Sequence, residues 1–150
     1  MALLTLTKRF SFEMAHLLPN YNGLCKNLHG HSYKLDVCVS GEPKQETGSA
    51  DEGMIIDFKD LKNIINLSII EKVDHSVLLN TNTDFALIEV LKKQQLKVFE
   101  VDFRPTTENL LAYFSNLIIP NLPKGVTLHC LRLQETEGSF AEIFPENPLQ

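Results

Sequence analysis

HGHSYKLDVCVSG, residues 29–41, alternates: His29, His31, Tyr33, Leu35, Val37 and Val39 fall on one face, and the run stops at Gly41. Side chains two apart on a strand point the same way, so this is a half-buried strand whose inward face begins with two histidines. The segment before it alternates in the same manner. Over residues 4–16, Leu4, Leu6, Phe10, Phe12, Met14 and His16 share one face, and Thr5, Thr7, Arg9, Ser11 and Glu13 the other. Between the two runs lies a loop, 17–28, carrying Pro19, Asn20, Asn22 and Gly23. If the strands pair as a hairpin around that loop, His16 comes beside His29 and His31, and three imidazoles converge.

Three neutral imidazoles without a fourth protein ligand are the pattern of a catalytic zinc site, open to water or substrate. Iron, nickel or copper would accept the same nitrogens, and zinc is preferred on availability. Histidines at strand ends beside a loop are otherwise only partly exposed polar residues; the third imidazole, correctly placed, separates the two readings. His129 has no ligand-spaced neighbour and reads as structural. Cys25 lies four residues before His29, in the loop that would cap the metal, followed by the polar Lys26 and Asn27. A thiol near a cation and imidazoles loses its proton more readily and can act as base or nucleophile at neutral pH. Cys38 and Cys130, inside strand patterns, read as small core fillers.

Further along, residues 42–53 are a polar loop with Pro43, Gly48 and Gly53. Asp57 then caps a helix with apolar positions Phe58, Leu61, Ile64, Ile65, Ile69 and Val73, which delivers Asp74 and His75 at its end. A short helix over 83–93, a short strand over 96–101 and a helix from Thr106 to Ile119, stopped by Pro120, follow. The last strand, Val126 to Thr136, ends in Gln134-Glu135-Thr136. Strands in hairpin-like pairs with intervening helices indicate an α+β fold. Asp74 beside His75 is a carboxylate placed to orient an imidazole, although adjacent residues at a helix end also serve as caps. Glu108 in a first helical turn suits the helix dipole. Glu135, ending a largely apolar strand, needs paired donors, such as the amino and ring N–H groups of a guanine-like heterocycle. Lys26 and Arg132 are candidate phosphate contacts, with solvent exposure or structural pairing as the plainer reading.

Composition sets the outer bounds. The 150 residues leave room for one well-buried core and not for two ordinary domains, so 1–150 reads as a single domain. Fourteen basic against 19 acidic residues give a net charge of -5, with no Lys/Arg run, which argues against a nucleic-acid partner. No apolar run approaches the roughly 20 residues that cross a bilayer, and Met1 to Lys8 lack the features of a signal peptide. The expectation is a cytoplasmic protein without a membrane partner. Three cysteines in such a chain point to thiol chemistry and away from a disulfide framework.

Six segments in order, FSFEMAH (10–16), CKNLHGHSYKLDVCVSG (25–41), GMIIDFKDLK (53–62), VDHSVLLN (73–80), RPTTENLLAYF (104–114) and LRLQETEGSFAEIF (131–144), are spread over nearly the whole chain. Together they resemble the 6-pyruvoyl-tetrahydropterin synthase family, and within it the bacterial 6-carboxy-tetrahydropterin synthase branch of queuosine biosynthesis. The three-residue gap between Cys25 and His29 favours the carboxy branch. The resemblance implies zinc on His16, His29 and His31, a catalytic thiol at Cys25, proton transfer by Asp74 and His75, and a pterin held by Glu135 with Thr106, Thr107 and Glu108. It also implies the substrate, 7,8-dihydroneopterin triphosphate, from which triphosphate and then acetaldehyde would leave. The implied architecture is a tunnelling fold (T-fold): a four-stranded antiparallel sheet with helices on one side. Three such sheets join into a barrel and two trimers stack as a homohexamer, with active sites at subunit interfaces. A pyruvoyl synthase that releases no acetaldehyde, a non-catalytic metal-binding scaffold and a pterin aldolase acting on an unphosphorylated side chain are the alternatives.

Overall fold

Thr5–His16 (β1) and His29–Gly41 (β2) pair antiparallel along their length, from Thr5 opposite Ser40 to His16 opposite His29. The computed structural model describes residues 3–145. The alternation in both strands places Phe10, Phe12, Met14, Tyr33, Leu35, Val37 and Val39 inside. A slip of one residue would turn all of them outward, so the pattern specifies the register. Val126–Thr136 (β5) pairs antiparallel with β2, and Ser139–Ile143 (β6) with β5. These four strands form the antiparallel sheet that the resemblance implies. Two short strands extend it: Ser76–Asn80 (β3) runs parallel to β1, and Val98–Val101 (β4) parallel to β3. The sheet is therefore mixed and six-stranded, in the order β4-β3-β1-β2-β5-β6.

The helices cover one face. Asp57 caps Phe58–Ile65 (α1) by accepting from the Lys59 amide at 2.6 Å. The expected continuous helix to Val73 is interrupted by one wide π turn, Asn66–Ile70, before Glu71–Val73 (α2). The buried residues Leu61, Ile65, Ile69 and Val73 are spaced by four. That spacing drifts off a 3.6-residue period, and a wide turn absorbs the drift and keeps the stripe on the sheet. Phe85–Lys93 (α3) links β3 to β4, and Thr107–Ile118 (α4) carries Leu110, Leu111, Phe114 and Ile118 into the core. There Phe12 stacks on Tyr33 with centroids 5.0 Å apart and meets the edge of Phe114 at 6.2 Å.

Cys38 and Cys130 are not core fillers. They face each other across β2 and β5, half-buried, and alternate with the inward Val37, Val39, Leu131 and Leu133, so they lie on the face away from the helices. On that polar face Arg9 grips Asp36 through Nε and Nη2 at 2.6 and 2.9 Å, and Arg132 is taken by Glu142 and the Phe140 ring. Arg132 is thus structurally paired. His129 is passed over where the β2–β5 register shifts and packs against Phe144, which fits the structural reading.

Gly41 closes β2 where the chain approaches Gly125 and Ile55. A Cβ there would lie 2.6 Å from the Gly125 carbonyl oxygen and 2.8 Å from Ile55 Cγ2, whereas one at Gly138 would meet nothing within 4 Å among the described residues. Gly41→Ala is expected to cost about 1–3 kcal/mol as overpacking, and Gly138→Ala little. Urea-unfolding midpoints of the two variants check the contrast.

Candidate active site

The β1–β2 register that buries the core also delivers the site, because both strands carry their inward face to the same end of the sheet. His16 ends β1, its Cα partner His29 begins β2, and His31 follows on the same face opposite Met14. Ring centroids are 4.7 Å apart for His16 and His29, 4.9 Å for His29 and His31, and 5.3 Å for His16 and His31. One nitrogen from each ring lies within 4.8 Å of the others. All three Nε2 atoms are buried and, among the described residues, make no hydrogen bond, although a Glu135 oxygen comes within 3.3 Å of that of His31.

The surroundings set the tautomers. His16 Nδ1 is 2.9 Å from the Pro105 carbonyl and His29 Nδ1 is 2.6 Å from the Asn27 carbonyl. A carbonyl only accepts, so each Nδ1 carries the proton and each Nε2 presents a lone pair; this is the outer-shell arrangement that orients metal-bound histidines. Burial, against the Pro105 hydrogen bond, lowers the pKa of His16, and burial, against the charge of Glu135, lowers that of His31. Both are held neutral, the form that binds a metal. Three converging, buried, partnerless nitrogens fit a divalent transition metal in a tetrahedral frame with an open position.

Glu135 borders this cluster. Its Oε1 is 3.3 Å from His31 Nε2, and its Oε2 accepts from Thr107 Oγ at 2.9 Å, with the Tyr33 hydroxyl at a long 3.5 Å. Burial, reinforced by the Glu135 charge, pushes the Tyr33 phenol far above its ordinary value, so it stays protonated. Thr106 does a different job from Thr107: it caps α4, accepting from the Asn109 amide at 3.3 Å. Glu108 is exposed in the first turn of α4. Cys25 is half-buried in a 3-10 turn, Leu24–Lys26, whose carbonyl at Cys25 accepts from the Leu18 amide at 2.9 Å. It is not one of the converging ligands.

Asp74 and His75 stand elsewhere. Asp74 Oδ1 accepts from the Glu13 amide at 2.9 Å and lies 3.0 Å from His75 Nδ1, while the His75 amide donates to the Glu13 carbonyl at 2.6 Å. The pair thus continues the hydrogen-bond ladder along β1 just before β3 begins. His75 adopts a left-handed backbone, φ 58°, with its side chain 76% exposed. Burial acts to raise the Asp74 pKa, but the Glu13 amide and His75 outweigh it and the net direction is down. Within one chain the pair is tied to Glu13, three residues before His16. Thr107 stands beside Glu135 as expected, whereas the carbonyls of Asn27 and Pro105 are contributors no motif names, because backbone acceptors leave no mark in a residue pattern.

The family model for 6-pyruvoyl tetrahydropterin synthase matches residues 5–146. The chain belongs to that family. Among relatives, it is 37% identical over 139 residues to 6-carboxy-5,6,7,8-tetrahydropterin synthase of Haemophilus influenzae, covering 91% of this chain and 96% of that protein. It is 42% identical over 138 residues to the Synechocystis protein of the same name, covering 91% and 90%. The fold is that of 6-pyruvoyltetrahydropterin synthase from Plasmodium vivax, with TM-score 0.73, 18% identity and coverage of 98% and 100%. The Caenorhabditis elegans enzyme gives TM-score 0.68, 24% identity and coverage of 97% and 98%. The α+β tunnelling fold and a lyase-type tetrahydropterin synthase relationship follow. No helix among the described residues is long and apolar enough to cross a membrane.

A pH dependence follows from the histidines. Between their lowered folded values and about 6.5, the unfolded chain binds protons that folded His16 and His31 do not. Their contribution to the stability of the metal-free protein is complete above that window and is lost as pH falls through it. Urea midpoints of chelator-treated protein should therefore drop between pH 7.5 and 5.5, and drop less in His16→Asn.

Proposed function

We propose that this chain is a zinc-dependent lyase converting 7,8-dihydroneopterin triphosphate to 6-carboxy-5,6,7,8-tetrahydropterin with release of triphosphate and acetaldehyde, in queuosine biosynthesis. The observation that carries this reading is the buried trio of partnerless Nε2 atoms on His16, His29 and His31 beside Glu135. The names of the relatives support the carboxy product. One zinc ion per chain on the three histidines would supply Lewis acidity toward the oxygens of the substrate side chain. Glu135, one oxygen already steadied by Thr107, accepts from the paired N–H donors of the pterin. Thr106 and Glu108 complete the turn that presents Thr107. Cys25, on the loop between the metal-binding strands, takes or returns the proton at the side-chain carbons.

Asp74 and His75 complete the proton-transfer set from a second copy of the chain. What supports this is their place: they are locked to Glu13 and turn an exposed imidazole outward, so their use lies beyond their own subunit. The sheet also ends in two open edges, β4 and β6, which a ring of copies would close. A cytoplasmic homohexamer of two stacked trimers, sharing its sites between neighbours, is the assembly proposed.

The metal-loaded protein, incubated with 7,8-dihydroneopterin triphosphate, is expected to release triphosphate and acetaldehyde and to form a carboxy-pterin by mass. Triphosphate without acetaldehyde would give the pyruvoyl synthase instead, and neither product would overturn the enzyme reading. Cys25→Ala is expected to keep metal and oligomer while losing about 10²–10⁴-fold in turnover. If sites are shared, mixing separately inactive Cys25→Ala and His75→Ala chains under subunit exchange restores part of the activity.

A further inference from the structure

Arg104 stands immediately before Pro105, whose carbonyl fixes His16, and three residues before Thr107, which holds Glu135. Its main chain is pinned: the Arg104 carbonyl accepts from the Thr106 amide at 2.8 Å and from Asn109 Nδ2 at 2.9 Å. Its guanidinium lies over the Tyr21 ring, Cζ to centroid 5.7 Å, and Tyr21 belongs to the same 17–28 loop as Cys25. Arg104 therefore joins the helix start that serves Glu135 to the loop that carries the thiol.

Nε and Nη2 of Arg104 are both buried and, among the described residues, have no hydrogen-bond partner. These are the two donors of the side-on fork that matches a carboxylate or phosphate in bidentate fashion. Arg9 shows the fork in use on this protein, with Nε and Nη2 on the two oxygens of Asp36. Arg132 is likewise occupied by Glu142. Arg104 alone of these three presents the fork without an acceptor among the described residues. Two buried N–H donors without an acceptor are unfavourable. An oxyanion that completes the fork removes that cost.

We propose that Arg104 is the oxyanion anchor of the active site, gripping a phosphate of the substrate's triphosphate tail side-on through Nε and Nη2. The inference rests on the pterin triphosphate reading and names the group that holds the charged end of that substrate. A ligand with a donor-rich ring at one end and a polyanion at the other fits a site with Glu135 as acceptor and Arg104 as donor fork. Lys26, exposed at the end of the turn that holds Cys25, adds positive charge on the same loop. The cation–π contact with the Tyr21 ring, at 5.7 Å, restrains the guanidinium before substrate arrives, so less orientation is lost on binding.

The test uses the full, metal-loaded chain in the Cys25→Ala background, where slowed turnover lets substrate binding be read before consumption. Titration with 7,8-dihydroneopterin triphosphate and with phosphate-free 7,8-dihydroneopterin compares Arg104→Gln and Arg104→Lys with their parent, with native mass recorded for each. Arg104→Gln is expected to weaken the triphosphate about 10–100-fold, the range of a charge-assisted hydrogen-bonded pair, and to leave dihydroneopterin binding and native mass unchanged. Arg104→Lys, which keeps the charge but not the fork, should fall between. Unchanged triphosphate affinity overturns the anchor, and so does an equal loss for both ligands. A change in native mass would assign the fork to a neighbouring subunit and overturn it too. A parent that binds no triphosphate ester contradicts the enzyme reading itself, whereas tight binding indifferent to Arg104 contradicts only the anchor.

Discussion

The pairing of His16 with His29 across β1 and β2 is the constraint on which the site depends. A strand presents every second residue to one side, so the register that buries Phe12, Met14, Tyr33 and Leu35 also turns His16, His29 and His31 to one point. Shifting that register by one residue would expose the core and scatter the imidazoles together. Stability of the sheet and assembly of the ligand set are thus the same event. The apolar stripe of α1, its π turn and α2, with that of α4, holds the strands in that register from one side.

The rest of the site is tuned from outside the three rings. Two backbone carbonyls, at Asn27 and Pro105, accept from the Nδ1–H groups of His29 and His16 and so leave the two Nε2 lone pairs facing the cluster. Pro105 belongs to a turn that also supplies the cap of α4 through Thr106 and the hydrogen bond to Glu135 through Thr107. That turn therefore couples the imidazole cluster, Glu135 and the Arg104 fork in four consecutive residues. Glu135 in turn reaches the site only because β5 pairs with β2 in a fixed register, with Gln134 opposite Lys34.

Much of this was legible in the residues. The alternation of β1 and β2 and the strand at Val126–Thr136 appear within a residue of their expected bounds, because each buries one face and period two is unambiguous there. The histidine cluster followed from pairing two such strands. β3 escaped notice because Leu78, Leu79 and Asn80 are all buried and carry no alternation, and because its partners, parallel strands, are set by contacts distant in sequence. β6 escaped for the opposite reason: its side chains are largely exposed. Cys38 and Cys130 were misplaced because a small apolar side chain has no fixed side, and only the neighbouring valines and leucines determine that it points outward. The separate station of Asp74 and His75 could not be read from adjacency in sequence; it depends on the amide and carbonyl of Glu13.

Three imidazoles, and not the nearby thiol, are expected to hold the metal. X-ray absorption at the zinc edge of the metal-loaded protein tests it most directly. Three nitrogen scatterers at about 2.0–2.1 Å are expected, with light-atom scattering from water or substrate in the remaining position. A sulfur scatterer at about 2.3 Å, or fewer than three nitrogens, would contradict it.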